Sequence, residues 1–218
     1  MIKAVIYDMD GIIINTIPFG KKAEHKIFKK YGITIKEEMY RDTLGLREDE
    51  TIAYWCNKYK WDHINQKDIL EQYFKHYIKA VREEGKLMDG VTESIAFFKN
   101  KKVKLALASS SYMRQIQAVI DTFRLDRYFD VIHSAEFERH GKPNPDVYIT
   151  TIKKLGMSAS ECLAIEDSIN GILSAESAGI KCICVPLENH LDDKWKIADI
   201  VVPSLSGINE SIWNQMTL

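Results

Sequence analysis

The sequence predicts an α/β protein: a doubly wound parallel sheet with a helical cap domain inserted after the first strand. Three observations lead there. Short apolar, β-rich runs alternate with helical patterns through most of the chain. Several of those runs are apolar at nearly every position, as strands covered on both faces by helices are. One stretch, from about Phe19 to Glu84, breaks the alternation and reads as helix alone.

In chain order, the first strand is Lys3–Asp8 (KAVIYD). The next stretch carries KKAEHKIFKKYG, REDETIAYWCNKYK and KDILEQYFKHYIKAVREE, three amphipathic helical patterns with no strand between them. Gly90–Asn100 is a helix, Val103–Ala108 the second strand and Tyr112–Phe123 the next helix. Val131–Ser134 is the third strand, followed by a helix over Pro145–Leu155 and a fourth strand at Cys162–Glu166. Ile169–Ala178 is a helix closed by Gly179, and Lys181–Val185 and Ile200–Val202 complete the sheet. Parallel strands joined by right-handed helical crossovers give a Rossmann-like arrangement. The expected domains are an α/β core of residues 1–15 plus 88–218 and a cap of residues 16–87. Two connections cross between them, near Ile14–Pro18 and Gly85–Gly90, which is how a lid hinges.

The composition narrows the class. The chain has 218 residues, is 45% hydrophobic and 28% charged, and has a formal net charge of −1. That balance offers no basic field for nucleic acid or for an anionic membrane. No run is long and apolar enough for a transmembrane helix, and the N-terminus lacks the features of a signal peptide. A cytoplasmic protein is expected. The four cysteines, Cys56, Cys162, Cys182 and Cys184, show no paired spacing and read as small buried hydrophobes. Aromatic residues Tyr54, Trp55, Tyr73, Phe74 and Tyr77 read as cap core, His25, His76 and His133 as residues without partners or a ligand role, and His140, close to Lys142, as loop surface. A core of this size needs no second copy, so a monomer is expected.

The chemistry lies at the strand ends. In an open parallel sheet, ligands bind at the carboxyl ends of the strands, at the switch point of the topology. The first strand ends in Asp8, Asp10 and Gly11, and the second in Ser109, Ser110 and Ser111. The loop after the third carries Lys142 within HGKPNPD, and the fourth ends in Glu166, Asp167 and Ser168. Each tip alone could be a turn or a helix cap. Together they assemble carboxylates, a lysine, hydroxyls and a helix N-terminus on one rim. Carboxylates so clustered cannot all ionise without a cation, and a set of hard oxygen ligands selects Mg²⁺. The SSSY turn aims N–H groups and a hydroxyl at an anion. The set points to phosphoryl transfer to an aspartate.

The run DMDG followed by NT, the serines of LASSS, the lysine of GKPNPD and the acidic pair of IEDSINGILSAESAG resemble the four motifs of the haloacid dehalogenase superfamily. The resemblance covers nearly the whole chain. A cap after the first strand is similar to the β-phosphoglucomutase-like branch, and RDTLGLREDE to its 2-deoxyglucose-6-phosphate and hexitol phosphatases. The resemblance implies that Asp8 attacks phosphorus and that Asp10 protonates the leaving sugar oxygen, then deprotonates water. It implies that Ser109 and the N–H of Ser110 hold phosphate oxygens, with Gly11 letting the turn close on the phosphate, and that Lys142 orients Asp8. Mg²⁺ would be held by Asp8, the main-chain carbonyl of Asp10 and Asp167, with Glu166 mostly through water. Two positions depart from the pattern: Asn15 stands where Asp is usual, and Ile17 where the phosphatases commonly carry Glu. Arg47, beside Gly45, is either a substrate contact or a first-turn residue of its helix. Asn170 either contacts substrate or caps the helix that follows.

These readings lead to a Mg²⁺-dependent phosphatase acting on a small phosphorylated sugar or sugar alcohol through an aspartyl-phosphate, with the cap closing over the reaction. One alternative is a β-phosphoglucomutase, whose cap-linker His is replaced here by Gly20. The other is a catalytically silent sugar-phosphate sensor that uses the same pocket.

Overall fold

The computed structural model describes residues 1–43, 47–61, 64–187 and 189–217. The chain divides into two compact units, one of Met1–Asn15 with Lys86–Leu218 and one of Thr16–Gly85.

The first unit is built on a six-stranded sheet in the order β3-β2-β1-β4-β5-β6, with every neighbouring pair parallel. Its strands are β1 (Ala4–Tyr7), β2 (Lys104–Ser109), β3 (Val131–Ser134), β4 (Cys162–Glu166), β5 (Lys181–Cys184) and β6 (Ile200–Val201). Every residue of β1 and β4 is buried, which is why these strands read as unbroken apolar runs. One face packs Ala4, Ile6, Ala106, Ala108, Ala164 and Cys182 against Tyr148, Ile152 and Ile172. These last three come from α6 (Asp146–Leu155) and α7 (Ile169–Ser177). Small residues on the strands let the helices approach closely. On the other face Tyr7 lies edge-on to Phe98, and its hydroxyl donates to Ser94 Oγ at 3.1 Å. Both partners belong to α4 (Val91–Asn100). That bond matters because a phenol hydroxyl buried without a partner is costly.

The strand order changes direction at β1. From β1 the chain winds outward through β2 and β3, then crosses back over α6 to β4 on the opposite side. The carboxyl ends of β1, β2 and β4 therefore meet at the switch point. Register sharpens this: Tyr7 is level with Leu107 on one side and Ile165 on the other. The next residues along, Asp8, Ala108 and Glu166, form the layer above. α5 (Met113–Phe123) leaves from the tip of β2.

The second unit contains α1 (Ile17–Lys30), α2 (Glu48–Lys58) and α3 (Gln66–Glu84), with a 3-10 helix over Glu37–Thr43. Phe19, Ala23 and Ile27 recur every four residues on α1, as Tyr73, Tyr77 and Val81 do on α3, and all are buried. Trp55 and Phe28 are buried too, with Phe28 stacked on Trp61 at 5.6 Å between ring centres. Tyr54 departs from its expected core role. It is half-buried, and its hydroxyl donates to Asp42 at 2.9 Å.

Two elements differ from the sequence reading. α1 begins at Ile17, a turn before the amphipathic pattern starts at Lys21, with Pro18 in its first turn, where a fixed φ favours the helix. Ile17 is exposed, so no apolar period marked that turn. The chain also ends in a helix that the pattern did not signal, α8 (Glu210–Thr217), of which only Met216 is buried. The four cysteines are free and buried.

Candidate active site

Asp8 follows β1 directly. Its N–H donates to the Ile165 carbonyl at 2.9 Å, continuing the ladder one step and fixing the carboxylate in the layer of Glu166. The chain then turns sharply, with the Gly11 N–H donating to the Ile14 carbonyl at 2.8 Å. Gly11 has φ +78°, and a Cβ built there would lie 2.0 Å from Asp167 Oδ2. Any side chain would displace that carboxylate, so the glycine keeps Asp167 in place as well as making the turn.

Asp10 is gripped by two hydroxyls. Ser109 Oγ and Ser111 Oγ each donate to its Oδ2 at 2.9 Å. The Ser111 N–H in turn donates to Ser109 Oγ at 3.0 Å, and Ser134 Oγ donates to the Ser111 carbonyl at 2.6 Å. Sequence reading assigned work to Ser109 and Ser110. It gave none to Ser111, whose only signal was its place in a run of three serines. Ser110 is half-buried at the tip of β2, two residues before α5 is capped at Tyr112.

Lys142 joins the carboxylates. Its Nζ donates to Asp8 Oδ1 at 2.6 Å, to Glu166 Oε1 at 2.6 Å and to the Ala108 carbonyl at 3.1 Å. All three donors of the ammonium are used. The three side chains are almost fully buried, Lys142 at 6% exposure, Asp8 at 7% and Glu166 at 1%. Burial alone would lower the Lys142 pKa, but Asp8 and Glu166 more than reverse this and hold it charged. The Tyr148 hydroxyl donates to the same Glu166 Oε1 at 2.6 Å, and its ring centre lies 5.1 Å from Lys142 Nζ. Burial, reinforced by Glu166, raises the Tyr148 pKa well above its ordinary value and keeps it a donor. Glu166 Oε2 is buried without a hydrogen-bond partner.

Charge is left unbalanced here. Asp8, Glu166 and Asp167 can each present an oxygen within 4.8 Å of the others. Burial pushes the Asp8 carboxyl well up despite Lys142, and Glu166, Asp10 and Asp167 add to the rise. Asp167 is pushed up to about 8 by burial first, then by Glu166 and Asp10. One ammonium does not neutralise this group. A divalent cation with a preference for oxygen ligands would.

The remaining expectations fall elsewhere. Arg47 precedes α2, where its N–H donates to Glu50 Oε2 at 3.0 Å and its guanidinium pairs with Asp49 Oδ2 at 3.1 Å. Gly45, its expected companion, lies outside the described residues. Asn170 is exposed, and it is not the helix cap: Ser168 Oγ accepts from the Gly171 N–H at 3.0 Å and caps α7. His133 is not a residue without partners, because its Nε2 lies 2.6 Å from Glu138 Oε1 and its Nδ1 2.9 Å from Lys154 Nζ. Lys154 comes from α6, so the docking of that helix on β3 had to be placed before this chain of groups could be seen. His140 is exposed.

Residues 5–185 match the family model described as haloacid dehalogenase-like hydrolase. Hexitol phosphatase B of Escherichia coli (strain K12) is 33% identical over 209 residues, spanning 95% of this chain and 94% of that protein. A phosphorylated carbohydrates phosphatase of Thermotoga maritima is 32% identical over 189 residues, 83% of each. Among solved structures, CbbY of Rhodobacter sphaeroides in complex with phosphate is 26% identical. It superimposes with a TM-score of 0.83, covering 95% of this chain and 96% of that one.

Proposed function

We propose that this chain, which belongs to the haloacid dehalogenase-like hydrolase family, is a Mg²⁺-dependent phosphatase that hydrolyses a small sugar phosphate or sugar-alcohol phosphate through an aspartyl-phosphate. It is a phosphoric monoester hydrolase of the β-phosphoglucomutase-like branch. The observation that carries the reading is the pairing of two differently held carboxylates at one strand tip. Asp8 is bound to an ammonium, and Asp10 to two hydroxyls.

The division of labour follows from those partners. An Asp8 oxygen attacks phosphorus, the bond from phosphorus to the sugar oxygen breaks, and Asp10 delivers a proton to the departing oxygen. Asp10, now a carboxylate, takes a proton from water as that water attacks the aspartyl-phosphate, releasing phosphate and restoring Asp8. The Ser111 hydroxyl holds Asp10 in place through both steps, and the Ser109 hydroxyl shares that hold until a phosphate oxygen takes its single proton. Lys142 holds Asp8 and offsets negative charge as the phosphoryl group arrives. Ser109 and the N–H of Ser110, at the entry to α5, bind phosphate oxygens. Asp8, Asp167, Glu166 and the Asp10 carbonyl would hold Mg²⁺, a fit supported by the clustered carboxylates and the unpartnered Glu166 Oε2. When bound, the cation supplies charge stabilisation to the phosphoryl oxygens.

The names of the relatives support a sugar-derived substrate, and Arg47 and Asn170 are the residues we assign to contacts beyond the phosphate. We assign the cap role to residues Thr16–Gly85, which form a compact unit of their own. Four free, buried cysteines support a cytoplasmic setting, and no described helix is long and apolar enough to cross a membrane. The same reading takes the enzyme as a monomer. The test is phosphate release from a panel of hexose, deoxyhexose and hexitol phosphates with Mg²⁺, beside Asp8→Asn. Release that disappears in the variant and on chelation is expected. Isomerisation of β-glucose 1-phosphate without release would replace the phosphatase with a mutase, and tight binding without turnover would replace it with a sensor.

A further inference from the structure

We propose that Tyr148 is a positioning residue of the active site, clamping one oxygen of Glu166 so that the other stays open toward the cation and Lys142 stays on Asp8. This inference rests on the functional reading above and adds to it a residue from outside the recognised motifs.

The geometry is as follows. Tyr148 is completely buried on α6, six residues beyond Lys142, so a single segment supplies both donors to Glu166 Oε1. Phenylalanine would fill the same volume, keep the ring beneath the ammonium, and avoid the cost of burying a hydroxyl. A tyrosine at such a position is therefore explained by the bond it makes. With two donors on Oε1, the carboxylate cannot swing to offer both oxygens to Lys142. Without the phenol it could, and a two-oxygen contact to the ammonium would compete with Asp8 for the same charge. The space the carboxylate occupies is itself kept clear by a missing side chain. A Cβ on Gly171 would fall 1.9 Å from Glu166 Oε2, 2.0 Å from Cδ and 2.4 Å from Oε1, so only a glycine fits against this carboxylate. The carboxylate is thus pinned on one oxygen, and the other, buried and unpartnered, is left for the cation. Residues of this kind, which orient a metal ligand without touching the metal, typically change affinity or activity by about 10- to 100-fold when removed.

The experiment is Mg²⁺ binding by titration calorimetry on the parent and on Tyr148→Phe, with steady-state kinetics and melting temperature measured on the same preparations. Tyr148→Phe is expected to weaken Mg²⁺ binding about tenfold or more. It should lower kcat at saturating Mg²⁺ and leave KM for the sugar phosphate within about twofold, as expected of a group that acts on chemistry and not on substrate binding. Gly171→Ala, which crowds the carboxylate at both oxygens, should weaken Mg²⁺ binding in the same direction, and a folded Gly171→Ala with the parent's Mg²⁺ affinity would also overturn the proposal. Unchanged Mg²⁺ affinity in a folded Tyr148→Phe, with only a lower melting temperature, would overturn the proposal and leave Tyr148 as core. A parent that neither binds Mg²⁺ nor releases phosphate would overturn the functional reading, and this inference with it.

Discussion

Asp167 in the α/β unit and Glu24 in the helical unit are both carboxyls held far from their ordinary ionisation, and they have different remedies. Burial is the first cause in each case. It brings Asp167 to about 8, with Glu166 and Asp10 adding to the rise, and Glu24 to about 7, with Glu48 adding to it. Each has one lysine opposing the shift, Lys142 or Lys21. Around Asp167, two more carboxylates converge to within 4.8 Å, which makes a cluster able to hold a cation. No such group surrounds Glu24 among the described residues, and its Oε2 is buried without a partner. The first environment suits a divalent metal, the second a proton. A raised carboxyl pKa alone therefore does not mark a metal site. Convergence of further donors does.

The comparison can be broken first at its strongest point. Lys142→Met leaves Asp8 and Glu166 buried without their counter-charge, and should cost about 3–5 kcal/mol of stability in metal-free protein at pH 8. Turnover should fall by on the order of 10³-fold. Urea unfolding with parallel kinetics measures both, and a stability loss below about 1 kcal/mol would put this cluster among ordinary surface pairs.

Mg²⁺ itself comes next. At a hundred times its dissociation constant it should stabilise the parent by about 2.7 kcal/mol. Asp167→Asn should do two things at once: stabilise the metal-free protein by relieving repulsion, and abolish the gain from Mg²⁺. Glu24→Gln should leave that gain intact. An Asp167→Asn protein that still gains as much as the parent would remove the distinction between the two sites.

The effect in the cap comes last. Because the folded-state pKa of Glu24 lies above its ordinary 4.5, the folded protein keeps a proton that the unfolded chain has lost, and Glu24 costs stability as pH rises from about 4.5 to about 7. Glu24→Gln should therefore nearly match the parent at pH 4 and exceed it by about 3 kcal/mol at pH 8. Chemical denaturation at the two pH values decides the matter, since a difference that does not grow with pH would mean that Glu24 is unstrained.

Much of the active site could be read from the chain because it sits at strand ends. Asp8, Asp10, Glu166 and Asp167 interrupt apolar runs where a polar residue has no packing role, and Lys142 stands in a loop between turn residues. The structure brings Asp8, Lys142 and Glu166 into contact and Asp167 beside Gly11. Ser111 was not legible, because three adjacent hydroxyls look alike until the turn chooses which of them faces Asp10. Tyr148 was hidden for a different reason. With Ile152 and Leu155 it forms the buried stripe of α6, so its spacing reports packing and says nothing of its hydroxyl. Gly171 reads as an ordinary helical glycine until Glu166 lies against it.

The sequence by itself determined the alternation of buried strands and amphipathic helices, the helical interruption after β1, and the strand tips that carry charge. All of these depend on local period and on the cost of placing a carboxylate in an apolar run. Tertiary structure alone decided which oxygen each donor takes. Lys142 meets residues 134 and 24 positions away, and Tyr148 one 18 positions away. Such contacts follow from register and helix docking, whose energies are summed over the whole sheet and leave no mark on any one stretch of chain.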